Sequence, residues 1–369
     1  MIFFTSPLSF NRAKKTALNK LRYFNICTTV LALFVLVGCT SKKEITPVIR
    51  EAYDLSINKS AFFEQLSTIE QNSSKLITQN NKLYQCTKAW VDAGADEARL
   101  AEFGLMLNKP FVTEANQALF TGYYSPVIKG RRTAQGDFIY PILSKPNLTK
   151  GNMPSRSEIH DGALDGMGLE LAYTQSRVDN FIMGVQGSGF IDFEDGNPPV
   201  YFGYSGQNGH KFKGIGKYLV EQGELTKENV SLKTIYEWIE QHSEEEVLEL
   251  LNQNPSWVFF APKNNDHVKG AAGIPLVAHG SVAADKSIFD MGDLIYAKVP
   301  HVDNAGNFTG KYKPRVYVAL DVGGAIKNNH FDIYHGLGEK AGYEAGNNKY
   351  NGNAYQLVLN ENGEFCQSY

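Results

Sequence analysis

Two aspartates set the chemical question. The stretch ALDVGGAIKNNHFDIYHG, residues 319–336, holds Asp321 and Asp332 eleven positions apart, with glycines and polar residues between them. Two carboxylates this close suit glycosidic bond cleavage, in which one carboxyl protonates the leaving oxygen and the other acts as nucleophile or base. Their settings differ. RVYVAL (315–320) is β-branched and aromatic and reads as a strand, with Asp321 at its end before a Gly-Gly pair that permits a tight turn. FDIY restarts a strand with Asp332 among Phe331, Ile333 and Tyr334. An apolar setting desolvates a carboxyl, raises its pKa and keeps its proton on, which is what a general acid needs. Asp321, beside polar turn backbone, is expected to stay ionised. A solvent-facing Asp332 and a turn-capping Asp321 fit the same spacing, so spacing alone leaves the roles open.

Other chemistries fit less well. His330, Asp332 and His335 form H-x-D-x-x-H, a set of zinc-type ligands. On a strand His330 and Asp332 share a face while His335 lies beyond them, and no H-E-x-x-H is present, so no metal is expected. Ser188 in VQGSG lacks the G-x-S-x-G elbow of a catalytic serine. The GIG at 214–216 is not a phosphate loop.

The elements that must position these residues follow from periodicity. Residues 50–108 read as mainly helical, through SAFFEQLSTIEQNSSKLITQNNKLYQC and DEARLAEFGLML. From about 118 the texture changes to strands and turns, beginning with ALFTGYYSPVIKG and DFIYPIL. Residues 151–230 read as a glycine-rich, strand-rich middle. A helical block is predicted over 231–252, with Ser231 as its cap and Pro255 past its end. Beyond 256 come SWVFFA, IPLVA, DLIYAKV, RVYVAL, FDIYHG and AYQLVL, short strands separated by Gly, Asn and Asp, a pattern that fits a small barrel. The texture changes near 126 and 265 suggest one domain inserted into another.

Composition narrows the class. A net charge of -3 over 369 residues gives no basic stripe, so no nucleic-acid partner is expected. A hydrophobic content of 43% excludes wholesale disorder. The 19 tyrosines and 22 phenylalanines suit strand cores and equally the apolar faces of sugar rings. At the N-terminus, Arg12, Lys14, Lys15, Lys20 and Arg22 precede the apolar run ICTTVLALFVLV (26–37), which has the length of a signal h-region rather than a membrane span. The run ends in LVGCT, which resembles a bacterial lipobox and implies cleavage before Cys39 and lipidation of its thiol. Thr40 in place of Asp points to the outer membrane. Cys86 and Cys366 are then the remaining thiols of an oxidising periplasm, and their pairing is left open.

FTGYYSPVIKG, PSRSEIHDGAL, SRVDNFIMGVQGSGFIDFEDG, YSGQNGHKFKGIGK, NPSWVFF, GIPLVAHGSVAADKS and VALDVGGAIKNNHFDIYHG together resemble, in that order, the membrane-bound lytic murein transglycosylase A family. The resemblance covers most of residues 50–355. It implies a mainly β fold with N-terminal helices: a double-psi β-barrel domain from residues 50–126 and 265–369, an inserted β-rich domain from 127–264, and a groove between them for a glycan strand. Residues 1–38 would be a lipoprotein signal peptide and 39–49 a tether. The implied reaction cuts the β-1,4 bond between N-acetylmuramic acid and N-acetylglucosamine of peptidoglycan. The sugar's own C6 hydroxyl attacks, leaving a 1,6-anhydromuramoyl end, and one carboxyl serves as acid and then base. By position in the motif that carboxyl is Asp332, with Asp321 supporting it and Asp285 of VAADKS in a lesser role. Gln186, Ser188, Tyr204 and Asn208 would line the groove, and Tyr123 and Tyr124 would pack on sugar faces. Asn328 stands where relatives often carry Gly, at a turn position that Asn tolerates in left-handed backbone. No cofactor is implied; the partners are glycan strands, the inner leaflet of the outer membrane, and other cell-wall synthesis or lytic proteins. A hydrolytic muramidase using both aspartates and a non-catalytic peptidoglycan-binding lipoprotein are the alternatives.

Overall fold

The structure is a computed structural model and describes residues 58–110, 117–227, 229–263, 267–302 and 308–360. The signal segment, the tether and Cys27, Cys39 and Cys366 lie outside these residues. Cys86 is fully buried and disulfide-bonded, with its partner outside the described residues.

The chain enters through α1 (Lys59–Asn72) and α2 (Ser74–Asp92). The helical run divides at Ser73, whose extended backbone breaks the first helix and whose hydroxyl accepts from Leu76 N–H to start the second. DEARLAEFGLML is not one helix. A 3-10 segment, Glu97–Phe103, stops at left-handed Gly104 and gives way to β1 (Leu105–Asn108). β2 (Gln117–Ser125) follows.

The middle holds β3 (Val127–Lys129), β4 (Tyr140–Leu143), α3 (Arg156–His160), β5 (Glu170–Thr174), α4 (Arg177–Gln186), β6 (Gly189–Asp192), β7 (Val200–Gln207), α5 (Ile215–Glu221), α6 (Leu232–Ile239), α7 (Glu244–Asn252) and β8 (Val258–Lys263). Strands β3, β6, β7 and β8 form one sheet, and β4 pairs with β5. Helices α4 and α5 stand in text that reads as strand. In α4, Val178, Phe181, Ile182 and Val185 recur at helical spacing, Ser176 caps the start, and Gly187 ends it in left-handed backbone. Gly187 marks the helix end, and β6 opens two residues later at Gly189. The block at 231–252 is two helices, each begun by a serine capping box, at Ser231 and Ser243.

The remaining elements are β9 (Ser281–Ala283), β10 (Leu294–Val302), β11 (Phe308–Asp321), β12 (His330–Leu337), α8 (Gly338–Gly346) and β13 (Tyr350–Leu359). IPLVA forms turns rather than a strand, with Leu276 N–H bonded to Val268 and Ser281 N–H to the Val277 carbonyl. Six strands close a barrel in the order β2, β13, β10, β11, β9, β12 and back to β2. The β2–β12 and β9–β11 pairs are parallel and the others antiparallel.

Strand alternation decides what each side chain meets. Phe331 and Ile333 of β12 point into the barrel with Phe120, Val282, Tyr317 and Ala319. Phe120 and Phe331 stack at 5.5 Å, and each contributes about 2–3 kcal/mol by burial. Asp332, between two inward residues, therefore faces outward. The outer face of β10, β11 and β13 is apolar and covered by α1 and α2, through Phe62, Ile69 and Trp90. On the outer face of β2 and β12, Tyr123 and Tyr334 pack with Phe190 of β6 and Tyr201 of β7. The barrel wall that carries Asp332 thus shares a core with the four-stranded sheet.

Candidate active site

β12 runs between β2 and β9, and the registers place Asp332 opposite Thr121 on one side and Ala283 on the other. Thr121, 211 positions away in sequence, donates its hydroxyl proton to Asp332 Oδ1 at 2.6 Å. The same hydroxyl lies 2.9 Å from His330 Nε2. Thr121 has one proton to give, so while Asp332 is ionised the hydroxyl donates to the carboxylate and accepts from the imidazole. Asp332 is half-buried, walled by protein yet reachable from solvent. Burial raises its pKa to about 6, aided by the Asp321 charge and opposed by the Thr121 bond.

Asp321 is held far more tightly. Its Oδ2 accepts from the Tyr123 hydroxyl at 2.9 Å, and its Oδ1 accepts from the N–H groups of Ala271 and Val322, each at 2.9 Å. The polar turn backbone anticipated around it is present. Burial nevertheless outweighs the three donors, and the pKa is raised rather than left ordinary. The Tyr123 hydroxyl is itself pushed well above its usual pKa by burial and the neighbouring carboxylates, so it remains a donor.

Asp285 has a different task. Its Oδ1 accepts from Ser287 N–H at 3.0 Å and Ser287 Oγ at 2.9 Å, and its Oδ2 accepts from Asn328 N–H at 2.8 Å. Those donors hold the carboxyl down at about 2. Asp285 thus clamps the β11–β12 loop at Asn328, which takes the left-handed backbone its position demands, with φ 55°.

An outward carboxyl tuned near neutrality, a second carboxyl fixed beside it and a third bracing the loop invite comparison with known proteins. Residues 119–261 match the MltA specific insert domain and residues 280–358 the 3D domain. Membrane-bound lytic murein transglycosylase A of Escherichia coli K12 is 48% identical over 297 residues, 80% of this chain and 81% of that protein. The Vibrio cholerae protein of the same name is 44% identical over 299 residues, 81% of each. The chain belongs to the membrane-bound lytic murein transglycosylase A family. The crystal structure of E. coli MltA with bound chitohexaose superposes with a TM-score of 0.77 at 46% identity, covering 82% of this chain and 90% of that one. The Agrobacterium tumefaciens family member superposes with a TM-score of 0.58 at 30% identity, covering 66% of this chain and 73% of that one.

Within this family member the other anticipated residues fall in distinct places. Tyr123 and Tyr124 are 9% and 8% exposed, so neither offers a free face to a sugar ring, and Tyr123 acts through its hydroxyl. Gln186 accepts from Tyr124 N–H at 2.9 Å and ties α4 to β2. Ser188 is buried at the start of β6. Asn208 is 1% exposed and braces the insert, donating to the Pro154 and Pro255 carbonyls and accepting from Trp257 N–H. Tyr204 is 55% exposed on β7 and is the aromatic residue of the set that faces solvent. His330 and Asp332 meet through Thr121, while His335 lies on the opposite face of β12, so the H-x-D-x-x-H set does not converge. Thr121 carries no signal in the sequence, because only the parallel β2–β12 register distinguishes it from any other strand threonine.

Proposed function

We infer that this protein is a peptidoglycan lytic transglycosylase in which Asp332 is the only carboxyl that moves protons. Asp332 gives its proton to the glycosidic oxygen between N-acetylmuramic acid and N-acetylglucosamine. The C6 hydroxyl of the muramoyl sugar then attacks the anomeric carbon and loses its proton to Asp332. One C–O bond breaks, one forms, and no water is consumed. The nucleophile is intramolecular, so its effective concentration is already high. The observation that carries this reading is the inequality of the two aspartates. Asp332 is half-buried near pKa 6 with one protein donor, whereas both oxygens of Asp321 are taken up by three donors. Asp321 so held supports its neighbour and is poorly placed to act as a nucleophile. Mass spectrometry of the products from purified sacculi tests this. Anhydro ends are expected; ends heavier by one water would replace it with a two-carboxylate hydrolase.

The domain reading is proposed on the same footing: residues 127–264 inserted into a barrel domain built from 50–126 and 265–369, with the glycan strand in a groove between them. The matches to an insert domain and a 3D domain support it, as does the chito-oligosaccharide bound by the E. coli relative. Among the described residues no helix is long and apolar enough to cross a membrane. Attachment is proposed through lipidated Cys39 to the outer membrane, facing the periplasm, a reading supported by the basic flank, the apolar run and LVGCT. Cys39→Ser is expected to move the protein from the membrane fraction to the soluble periplasm; continued membrane attachment would refute the anchor.

A further inference from the structure

Behind the catalytic face of β12 lies a second constellation. His335 points to the side opposite Asp332, towards α8. Its side chain is 8% exposed, and neither ring nitrogen has a hydrogen-bond partner. A buried imidazole with both nitrogens unsatisfied is costly, and a ligand on Nδ1 would satisfy one of them. A Cβ on Gly122 would stand 2.7 Å from His335 Nε2 and 2.8 Å from Ala345 Cα of α8, so glycine at that position of β2 makes room for both the ring and the helix. With Nε2 against Gly122, Nδ1 faces away, 3.7 Å from Glu344 Oε2 of α8, too far for a hydrogen bond. The same carboxylate oxygen lies 3.6 Å from Nε2 of His279, and the two imidazole rings are edge to face at 4.7 Å. Ligand atoms from all three residues lie within 4.8 Å of one another. His279 holds left-handed backbone, φ 58°, fixed by its N–H bond to the Tyr334 carbonyl at 2.7 Å.

We propose that His279, His335 and Glu344 form a zinc-type metal site, with Glu344 Oε2, His335 Nδ1 and His279 Nε2 as ligands and solvent at the open position. Two imidazoles and one carboxylate are a known donor set for Zn²⁺ with an open coordination position. Bonds of about 2.0–2.2 Å would draw the two Glu344–His pairs, at 3.6 and 3.7 Å, a few tenths of an ångström closer, and the two imidazoles, within 4.8 Å, would close by a side-chain adjustment. Burial lowers the pKa of both imidazoles, and a metal requires the neutral ring. The other Glu344 oxygen turns towards Lys340, 3.9 Å away, leaving Oε2 to the imidazoles. The ion would tie α8 to β12 and to the turn that opens β9. Those are the strand carrying Asp332 and one that pairs with it.

The test is calorimetric titration of the purified full-length chain, without a polyhistidine tag, with ZnCl₂, in parallel with thermal melts. One Zn²⁺ per chain is expected, with a melting temperature raised by the metal. Glu344→Gln, at a partly exposed position that tolerates the change, and His335→Gln are each expected to weaken binding at least tenfold and to abolish the Zn²⁺-dependent rise. Folding of Glu344→Gln is checked by its melt without metal. Binding unchanged in both variants, or no binding below millimolar Zn²⁺, would overturn the site.

Discussion

The strand around Asp332 and the turn around Asp285 hold the same side chain at opposite extremes. Asp285 is 4% exposed and meets three donors, and its pKa falls to about 2. Asp332 meets one donor and is walled in, and its pKa climbs to about 6. The number of donors each carboxylate meets, rather than residue type, separates the two. Asp321 stands between them, with as many donors as Asp285 but a pKa that desolvation raises in spite of them.

The sharpest way to break this contrast is Asp332→Asn. Turnover on sacculi is expected to fall on the order of 10³-fold, the scale of a lost general acid, while binding to sacculi persists. The same variant reports on burial. A carboxyl raised from 3.8 to about 6 is held more strongly as the acid in the folded state. Its stability contribution is therefore full below the ordinary carboxyl range and is lost as pH rises through about 6. Asn carries no charge, so the variant should be about 1–3 kcal/mol more stable than the parent at neutral pH and near parity in acid, by urea unfolding. Equal stability at both pH values would mean that the carboxyl is not desolvated.

Two smaller changes should move the acid in opposite directions. Thr121→Val removes the bond that lowers the Asp332 pKa, so the basic limb of the pH–rate profile shifts upward. Asp321→Asn removes the charge that raises it, so that limb shifts downward. Each should cost roughly tenfold in turnover through lost orientation. Shifts of the same sign would sever the link between this geometry and the acid. The smallest effect belongs to Asp285→Asn. Its depressed pKa stabilises the fold above the ordinary carboxyl range and ceases to do so as pH falls through about 2. Loss of the charge on its three donors is expected to cost about 1 kcal/mol at neutral pH by denaturant unfolding.

How much of this could be read beforehand depends on how local each feature is. The barrel strands show in the sequence because alternation is local: Phe331 and Ile333 inward, Asp332 outward. Asn328 and Ser231 could be read because turn and cap chemistry are local as well. Thr121 could not, because its role is created by a parallel register between strands more than two hundred residues apart. Helix α4 was hidden by the glycines that follow it, and Tyr123 by burial that only the packing against Tyr334 and Phe190 creates. His335 groups in sequence with His330 and Asp332, whereas Glu344 and His279 come to it from α8 and from a distant turn.

The closing of the barrel carries a consequence for biosynthesis. β13 pairs with β2 on one edge and β10 on the other. A chain emerging from the ribosome therefore displays Thr121 early and Asp332 late, yet cannot seal the wall that holds them until its last described strand has been made. Contacts of such sequence separation form slowly. Closure of the barrel is thus a late event that follows synthesis of β13.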